Sequence, residues 1–512
     1  MLTSWDEVAE LLAEEQFALS ADAKLAQDSR QIEPGDVFVA IVGHEQDGAR
    51  YIAKALEQQA ALVLVSSNCQ PELYQSSLTN NDRILVIQDL EQRLPEFAQA
   101  FYHSDKSLPL IGVTGTNGKT SITHLLGQLS KACMSVETAV IGTMGTGSID
   151  AFTPSNNTTP GVCDVYRLLQ AFGQDTKHDF QSVAMEVSSH ALEQNRVKGL
   201  AFDVAIFTNL TLDHLDYHHT MEQYFAAKAK LFTDYAPKHA VINADDEYGR
   251  RLLNMVSSQA RAVAYGKTIE VKQHQDYVYI ARINCELKGL TVDFETRILG
   301  NTQSFTLSLP IYGEFNCSNL AAVLATALLL EWPIAPAHFS EIKSVPGRLE
   351  LFTAPDMPVA IVDYAHTPDA LEQSVKAVRS HLTGELTLVF GCGGDRDTSK
   401  RPVMAEIAER MADKVIVTND NPRTESPEAI VADIQSGFSQ PASHAVILDR
   451  KTAIKQALVS SLPTDAVLIA GKGHEAYQII GQEVLDYDER AFTAETIAAL
   501  SLTKLELSGS QT

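Results

Sequence analysis

The sequence predicts an α/β protein of several domains, and three observations carry that prediction. The chain has 512 residues, more than one hydrophobic core organises, so roughly two to four domains are expected. In the last third, four apolar runs (359–362, 386–390, 414–417 and 466–470) alternate with helical patterns. That alternation implies βαβ units and a parallel sheet. Near the middle, Gly112-Val-Thr-Gly-Thr-Asn-Gly-Lys-Thr-Ser stands between an apolar run, 108–113, and a helical pattern marked by Ile122, Leu125, Leu126 and Leu129. Strand, glycine loop, Lys-Thr and helix form the arrangement that cradles a nucleotide triphosphate.

Taken in order, residues 1–107 read as a small α/β unit, with buried strands at 36–42 and 61–65. Residues 108–343 carry the glycine loop and further buried strands at 182–187 and 202–208. Residues 267–310 alternate apolar and polar side chains with many β-branched ones, which predicts a small antiparallel patch appended to the sheet. The apolar run 320–330 is too short to span a bilayer and reads as a buried helix. A break falls at 343–347, Lys-Ser-Val-Pro-Gly, so that 344–512 forms the last domain.

Composition narrows the class. Hydrophobic residues make up 45% and charged residues 21%, ordinary values for a globular protein. The net charge of −25 argues against a nucleic-acid or anionic-membrane partner. An anionic small molecule would need local cations to overcome that field. The six cysteines form no C-x-x-C pair and read as cytosolic thiols. The start, Met1-Leu-Thr-Ser-Trp-Asp-Glu, lacks a basic region followed by an apolar core, so a cytoplasmic protein is expected.

The glycine loop supplies the first chemistry. Gly115, Thr116, Asn117 and Gly118 let backbone N–H groups approach phosphate oxygens, and Ser121 follows in the helix N-terminus, which adds partial positive charge. Lys119 can reach the outer phosphates, and the Thr120 hydroxyl can ligate Mg²⁺. The common pattern has glycine where Val113 stands here. Glu186 ends an apolar strand and needs a partner, either a buried salt bridge or Mg²⁺ beside Thr120. His214, His218 and His219 lack zinc spacing and cysteine partners; one of them could serve a second Mg²⁺ or orient a phosphate. After the four C-terminal runs come Asp363-Tyr-Ala-His-Thr-Pro-Asp, Gly391-Cys-Gly-Gly-Asp-Arg-Asp, Thr418-Asn-Asp-Asn-Pro-Arg and Gly471-Lys-Gly-His-Glu. Ligands bind at the carboxyl ends of strands in open α/β sheets, so these clusters converge on one binding edge.

Gly115-Thr-Asn-Gly-Lys-Thr, Met185-Glu-Val-Ser-Ser-His, Asp213-His-Leu-Asp-Tyr-His, Gly313-Glu-Phe-Asn-Cys-Ser-Asn, Gly347-Arg-Leu-Glu and Asp363-Tyr-Ala-His-Thr-Pro-Asp occur in this order. Together they resemble the ATP-dependent Mur ligases of bacterial peptidoglycan synthesis, over essentially the whole chain. Asp420-Asn-Pro-Arg and Gly471-Lys-Gly-His-Glu narrow the resemblance to the MurE type, which adds the third residue of the stem peptide. The resemblance implies three domains: an N-terminal one for the UDP end (1–107), a central ATPase (108–343) and a Rossmann-like C-terminal one (344–512). It also implies a monomer acting on small molecules, with ATP as co-substrate and Mg²⁺ as cofactor.

Residue by residue, the resemblance gives Lys119 and Thr120 the phosphates and a first Mg²⁺, Glu186 as its carboxylate, and His214 a second Mg²⁺. It makes Lys228 the carrier of a carbamate beside the metal, where sequence chemistry alone reads a solvated helix residue. Asn316, Arg348, Asp363 and His366 match nucleotide-binding positions. Gln27, Ser29, His44, Glu45, Gln46, Asn157, Thr158, Thr159, Ser188, Gln194 and Arg196 match contacts to a UDP-MurNAc-dipeptide. Arg396, Asp420, Asn421, Pro422, Arg423, Gly471 and Glu475 match contacts to the incoming amino acid. Asp-Asn-Pro-Arg accompanies meso-diaminopimelate in the family. Physics agrees, since Arg423 can bind the distal carboxylate that lysine lacks through two parallel hydrogen bonds. The alternatives are an L-lysine-adding ligase of the same type and, more remotely, a folylpolyglutamate synthetase; Arg423 could also be a plain surface ion pair.

Overall fold

The computed structural model describes residues 19–509 apart from 21, 44–45, 79–81, 104–105, 156 and 257–259. Its contacts fall into two compact units. The first holds residues up to 123, 135–242 and 246–262; the second holds 124–134, 243–245 and 263 onward.

The first unit opens with a parallel sheet in the order β1-β2-β3-β4: β1 (Leu25–Ala26), β2 (Val37–Ala40), β3 (Leu62–Ser66) and β4 (Ile84–Ile87). Strands β2 and β3 are buried on both faces, which is why they read as unbroken apolar runs. The unit continues with β5 (Leu110–Thr114), β6 (Glu137–Gly142), β7 (Gly145–Ser148), β8 (Ala151–Thr153), β9 (Phe180–Glu186), β10 (Val204–Phe207) and β11 (His239–Asn243). Their order is β11-β10-β5-β9-β6-β7-β8, parallel except for the two antiparallel pairings of β7. The sequence reading missed β6, β7 and β8. Gly142, Gly145 and Gly147 leave that stretch without an alternating apolar pattern. Leu62 and Phe97 share one core with Leu110, Ile141, Val183 and Phe207, so the N-terminal sheet and the central strands are packed together.

Helix Lys119–Met134 follows β5, and its four marker residues are all at most 1% exposed. The site-bearing loops of this unit leave the carboxyl ends of β5, β9 and β10.

In the second unit, β12 (Arg261–Gly266) runs parallel to β13 (Asp276–Glu286), which pairs antiparallel with β14 (Gly289–Ile298), itself antiparallel to β15 (Asn301–Leu309). The expected antiparallel patch is therefore present, with residues 269–273 forming a short 3-10 turn before it. Helix Phe315–Leu329 buries nearly its whole circumference, as its apolar run implies. The last sheet comprises β16 (Glu350–Phe352), β17 (Val359–Asp363), β18 (Leu386–Phe390), β19 (Lys414–Val417), β20 (Ala445–Val446) and β21 (Ala466–Ala470). Its order is β16-β17-β21-β18-β19-β20, parallel apart from β16. All four predicted runs are strands of this sheet. A small exposed hairpin, β22 (Tyr477–Ile480) and β23 (Glu483–Asp486), was not read from the sequence. All six cysteines are free thiols. Among the described residues no helix is long and apolar enough to cross a membrane.

Candidate functional site

The glycine loop is held from below by the segment after β10. Gly115 sits at φ +147°, and a Cβ there would lie 1.8 Å from Thr208 Oγ1, so only glycine fits. Thr116 N–H donates to Asn209 O (2.9 Å), Asn117 N–H to Asn209 Oδ1 (3.0 Å), and the Thr208 hydroxyl to Asn117 O (2.6 Å). The sequence reading assigned Thr208 and Asn209 no role. Their signal was the polar Thr-Asn pair at the end of an apolar strand. Lys119 Nζ folds back to donate to Gly115 O and Thr116 O, both at 2.9 Å, and it opens the helix whose N-terminus the loop feeds.

Thr120 Oγ1 donates to Glu186 Oε2 at 3.0 Å, so the paired hydroxyl and carboxylate expected of a hard-cation site are adjacent. Glu186 is 1% exposed and also accepts from Thr143 N–H (2.8 Å) and the Thr143 hydroxyl (3.2 Å). Burial pushes its carboxyl above the ordinary range, opposed chiefly by the charge of Lys119. Thr143 is a further contact that the sequence reading missed. A Cβ at Gly142 would meet Glu186 Oε1 at 2.2 Å, so a larger residue there would displace that carboxylate.

Lys228 corrects the reading of its residue chemistry as solvated. It is 1% exposed on helix Met221–Thr233, donates to Gly115 O at 2.9 Å and lies 4.5 Å above the Tyr224 ring. Burial, and then the nearby Lys119 charge, drive its pKa well below the ordinary lysine value. An uncharged amine is the species that adds CO₂. A carbamate retains one N–H for Gly115 O.

His214 stands at φ +53° with its side chain about half exposed, Nε2 3.4 Å from Asp213 Oδ2. Its ring meets His190 and Tyr224 edge-on, at centroid distances of 5.0 and 6.0 Å. His218 instead is buried against the Ser189 hydroxyl, at 2.9 Å. Among the described residues no group of three or more His, Cys, Asp and Glu side chains could hold a metal ion. A cation at Glu186 would have the Thr120 hydroxyl beside it.

Of the residues expected to face the dipeptide substrate, Thr158 and Thr159 lie next to Glu186 and its partner Thr143. The Thr158 hydroxyl lies 3.1 Å from that of Thr143, and the Thr159 hydroxyl donates to Glu186 O at 2.7 Å. Ser188 N–H donates to Thr159 Oγ1 (3.0 Å), and Ser188 Oγ caps helix Ser189–Glu193. Arg196 bridges Thr159 O (2.8 Å) and Gln194 Oε1 (2.6 Å), while Gln194 Nε2 donates to Tyr217 Oη. Asn157 is exposed and its N–H donates to Ser155 Oγ. Ser29 is buried at the start of a 3-10 turn, exposed Gln27 approaches Gly161, and Gln46 Oε1 accepts from the Tyr51 hydroxyl. His44 and Glu45 lie outside the described residues.

The second unit gathers the other predicted positions. Asp363 Oδ1 accepts from Leu349 N–H (2.8 Å) and Oδ2 from the Ser374 hydroxyl (2.6 Å), so it clamps the chain beside Arg348. Burial raises its carboxyl pKa. Arg348 lies 5.4 Å above the Tyr364 ring, which also touches His366 edge-on. The Asn316 amide donates to Tyr312 O, just before its helix, at 2.7 Å and accepts from Asn319 Nδ2 within the helix at 2.9 Å.

Arg423 stands at φ +51°, its N–H donating to Ile479 O (3.1 Å) and its carbonyl accepting from Gly481 N–H (2.7 Å). The unforeseen hairpin thus fixes this backbone. The Arg423 guanidinium reaches the β18 loop, donating to Gly394 O at 2.8 Å, where exposed Arg396 also stands. Asn421 Nδ2 donates to Glu475 Oε2 (3.0 Å), and fully buried Lys472 bonds Asn421 Oδ1 (3.1 Å) and Glu475 Oε2 (3.2 Å). Asp420 is 6% exposed beside Gly471, where a Cβ would crowd Asp420 Oδ2 at 3.1 Å, and Pro422 O packs against Gly394. Lys472 was not singled out from the sequence, although its motif was.

A phosphate loop braced on a parallel sheet, followed by a second parallel sheet with a polar carboxyl edge, defines a nucleotide-dependent enzyme. Comparison with known proteins makes this specific. Residues 24–102 match the Mur ligase family catalytic domain, 113–327 the Mur ligase middle domain, and 347–473 the Mur ligase glutamate ligase domain. The chain is 44% identical over 469 residues (90% of this chain, 93% of the relative) to UDP-N-acetylmuramoyl-L-alanyl-D-glutamate–2,6-diaminopimelate ligase of Haemophilus influenzae (strain PittEE). It is 41% identical over 488 residues (94% and 97%) to the protein of the same name from Coxiella burnetii (strain RSA 493 / Nine Mile phase I). A solved structure of a ligase of that name superimposes with a TM-score of 0.69 at 33% identity, over 93% of this chain and 95% of that one. The chain belongs to the Mur ligase family, and it is an ATP-dependent ligase.

Proposed function

We propose that this protein joins meso-diaminopimelate to UDP-MurNAc-L-Ala-D-Glu at the expense of ATP, giving the UDP-MurNAc-tripeptide of peptidoglycan synthesis. The substrate carboxylate attacks the γ-phosphorus, ADP leaves, and an acyl phosphate forms. The amine of the incoming amino acid then attacks the acyl carbon, loses a proton, and phosphate departs. A carboxylate is otherwise a poor acyl donor, because its leaving group would be oxide or hydroxide.

One observation carries the reading. Glu186 joins two sets of residues, Thr120 of the phosphate loop at its carboxylate and Thr159 at its backbone carbonyl. The phosphate-handling and acceptor-handling groups therefore meet where a carboxylate and a γ-phosphate must react. Lys119 is placed to neutralise charge on the transferred phosphoryl oxygens, the dominant demand of such a transfer. Thr120 and Glu186 would hold a first Mg²⁺ and His214 would help hold a second, with the carbamate of Lys228 beside the metal, and the ions would supply further charge neutralisation. Asn316, Arg348, Asp363 and His366 serve the nucleotide. Arg423 takes the distal carboxylate of diaminopimelate and Glu475 its distal ammonium, while Arg396 and Gly471 make other contacts to the amino acid. Three domains, 1–107, 108–343 and 344–512, divide these tasks, and the protein works as a cytoplasmic monomer.

The test is phosphate release from ATP with each acceptor omitted in turn. Release that requires both UDP-MurNAc-L-Ala-D-Glu and diaminopimelate is expected. Release that proceeds with either acceptor missing would overturn the reading.

A further inference from the structure

Beneath the two loops that carry the amino-acid contacts lies an ion pair that the reaction does not use. Arg450 is 2% exposed and Glu489 is 0% exposed. The guanidinium Nε and Nη2 both bond the Glu489 carboxylate, the latter at 2.9 Å, and the Tyr487 hydroxyl donates to the same carboxylate at 3.1 Å. The other donors of Arg450 go to backbone: Nη1 to Asn419 O (3.1 Å) and Nη2 to Ala470 O (3.0 Å).

Those two carbonyls are not arbitrary. Asn419 is the residue immediately before Asp420-Asn-Pro-Arg, and Ala470 ends β21 immediately before Gly471-Lys-Gly-His-Glu. A single planar group therefore ties together the roots of both loops. The contact continues upward, for a Cβ on Gly471 would stand 3.8 Å from Arg450 Nη2 and 3.1 Å from Asp420 Oδ2.

Stability does not explain the pair. Arg450 opens helix Arg450–Ser460, where a cation opposes the helix dipole, and both charges have lost their water. Apolar residues of similar volume fill such a position at no net loss of stability in many proteins. What an apolar side chain cannot do is donate to two carbonyls at the ends of β19 and β21, the strands on either side of β18. Glu489, by contrast, opens helix Glu489–Gly509, where a carboxylate is favoured, and it holds the guanidinium in one orientation.

We infer that Arg450, oriented by Glu489 and Tyr487, is a positioning residue for the amino-acid substrate: it sets the spacing of the 420–423 and 471–475 loops and so the geometry of the pocket for a diamino dicarboxylate. This rests on the function proposed above.

Steady-state kinetics on the intact protein tests it, with Arg450→Lys, Arg450→Met and Tyr487→Phe beside the wild type, and with ADP affinity as the measure of folded protein. The expected result is a rise in KM for diaminopimelate of about 100-fold in Arg450→Met, the scale of loss for a misplaced contact. Arg450→Lys, which retains the charge but not the fork, should be intermediate, and Tyr487→Phe mildest. KM for ATP and for UDP-MurNAc-L-Ala-D-Glu should stay at wild-type values. An unchanged diaminopimelate KM in all three variants would overturn the inference. So would a parallel decline of every kinetic parameter and of ADP binding, which marks a purely structural role. If the wild-type protein itself does not turn over diaminopimelate, the functional reading fails first, a result seen before any variant is made.

Discussion

At the scale of single residues, Lys228 shows what a buried amine can become. Its ammonium is held out of water beside another cation, so the neutral form is populated at far lower pH than for an ordinary lysine. Carbamylation consumes that neutral amine and releases a proton. Activity should therefore fall as pH drops through the depressed pKa, and added bicarbonate should counter the fall. Stripping CO₂ from the buffers should lower turnover reversibly, and intact-protein mass should show the loss of one CO₂. Lys228→Arg, which stays charged and cannot carbamylate, should lose at least about 100-fold in kcat, the scale of losing one positioned charge in a transfer site. A variant of near wild-type rate would refute the carbamate role. None of this was legible from Lys228 alone. Its neighbours Ala227 and Ala229 give no pattern, and burial of Nζ against Gly115 O depends on a contact 113 positions away in sequence.

At the scale of elements, the sequence declared itself where a strand combined burial on both faces with a long apolar run. Strands β17, β18, β19 and β21 stood out because they are mostly apolar, as in Leu386–Phe390, which is buried throughout. Strands β6, β7 and β8 did not: the apolar part of β6 is only Ala139–Ile141, glycines alternate in β7, and β8 is three largely exposed residues. Hairpin β22–β23 was invisible for another reason: its residues are exposed or half-exposed, so burial imposes no pattern on them. Yet it brackets Arg423 from both sides, and Ile479 N–H donates to Asn421 Oδ1 at 2.9 Å. Ile479→Pro deletes that donor at a half-buried site. It should raise KM for diaminopimelate by about 10-fold, one lost hydrogen bond to a positioned group, while leaving ADP affinity unchanged. Loss of ADP affinity, or an unchanged KM, would show that the hairpin does not shape this pocket.

At the scale of the whole molecule, a chain of net charge −25 handles anionic substrates by concentrating cations at a few loops: Lys119 at the first sheet, Arg348, Arg396, Arg423 and Lys472 at the second. Motifs told of the cations that lie in loops. Arg450 and Lys472 support those loops from inside the core, and only three-dimensional contacts reveal them. The central claim is that Arg423, fixed at its backbone by the hairpin, selects an amino acid with a second carboxylate. The direct measurement is kcat/KM of the intact enzyme for meso-diaminopimelate and for L-lysine, with ATP and UDP-MurNAc-L-Ala-D-Glu saturating. A site built to pair a polar group rejects the analogue that lacks it strongly, so a preference for diaminopimelate of at least about 100-fold is predicted. Equal use of the two amino acids, or a preference for lysine, would contradict the account.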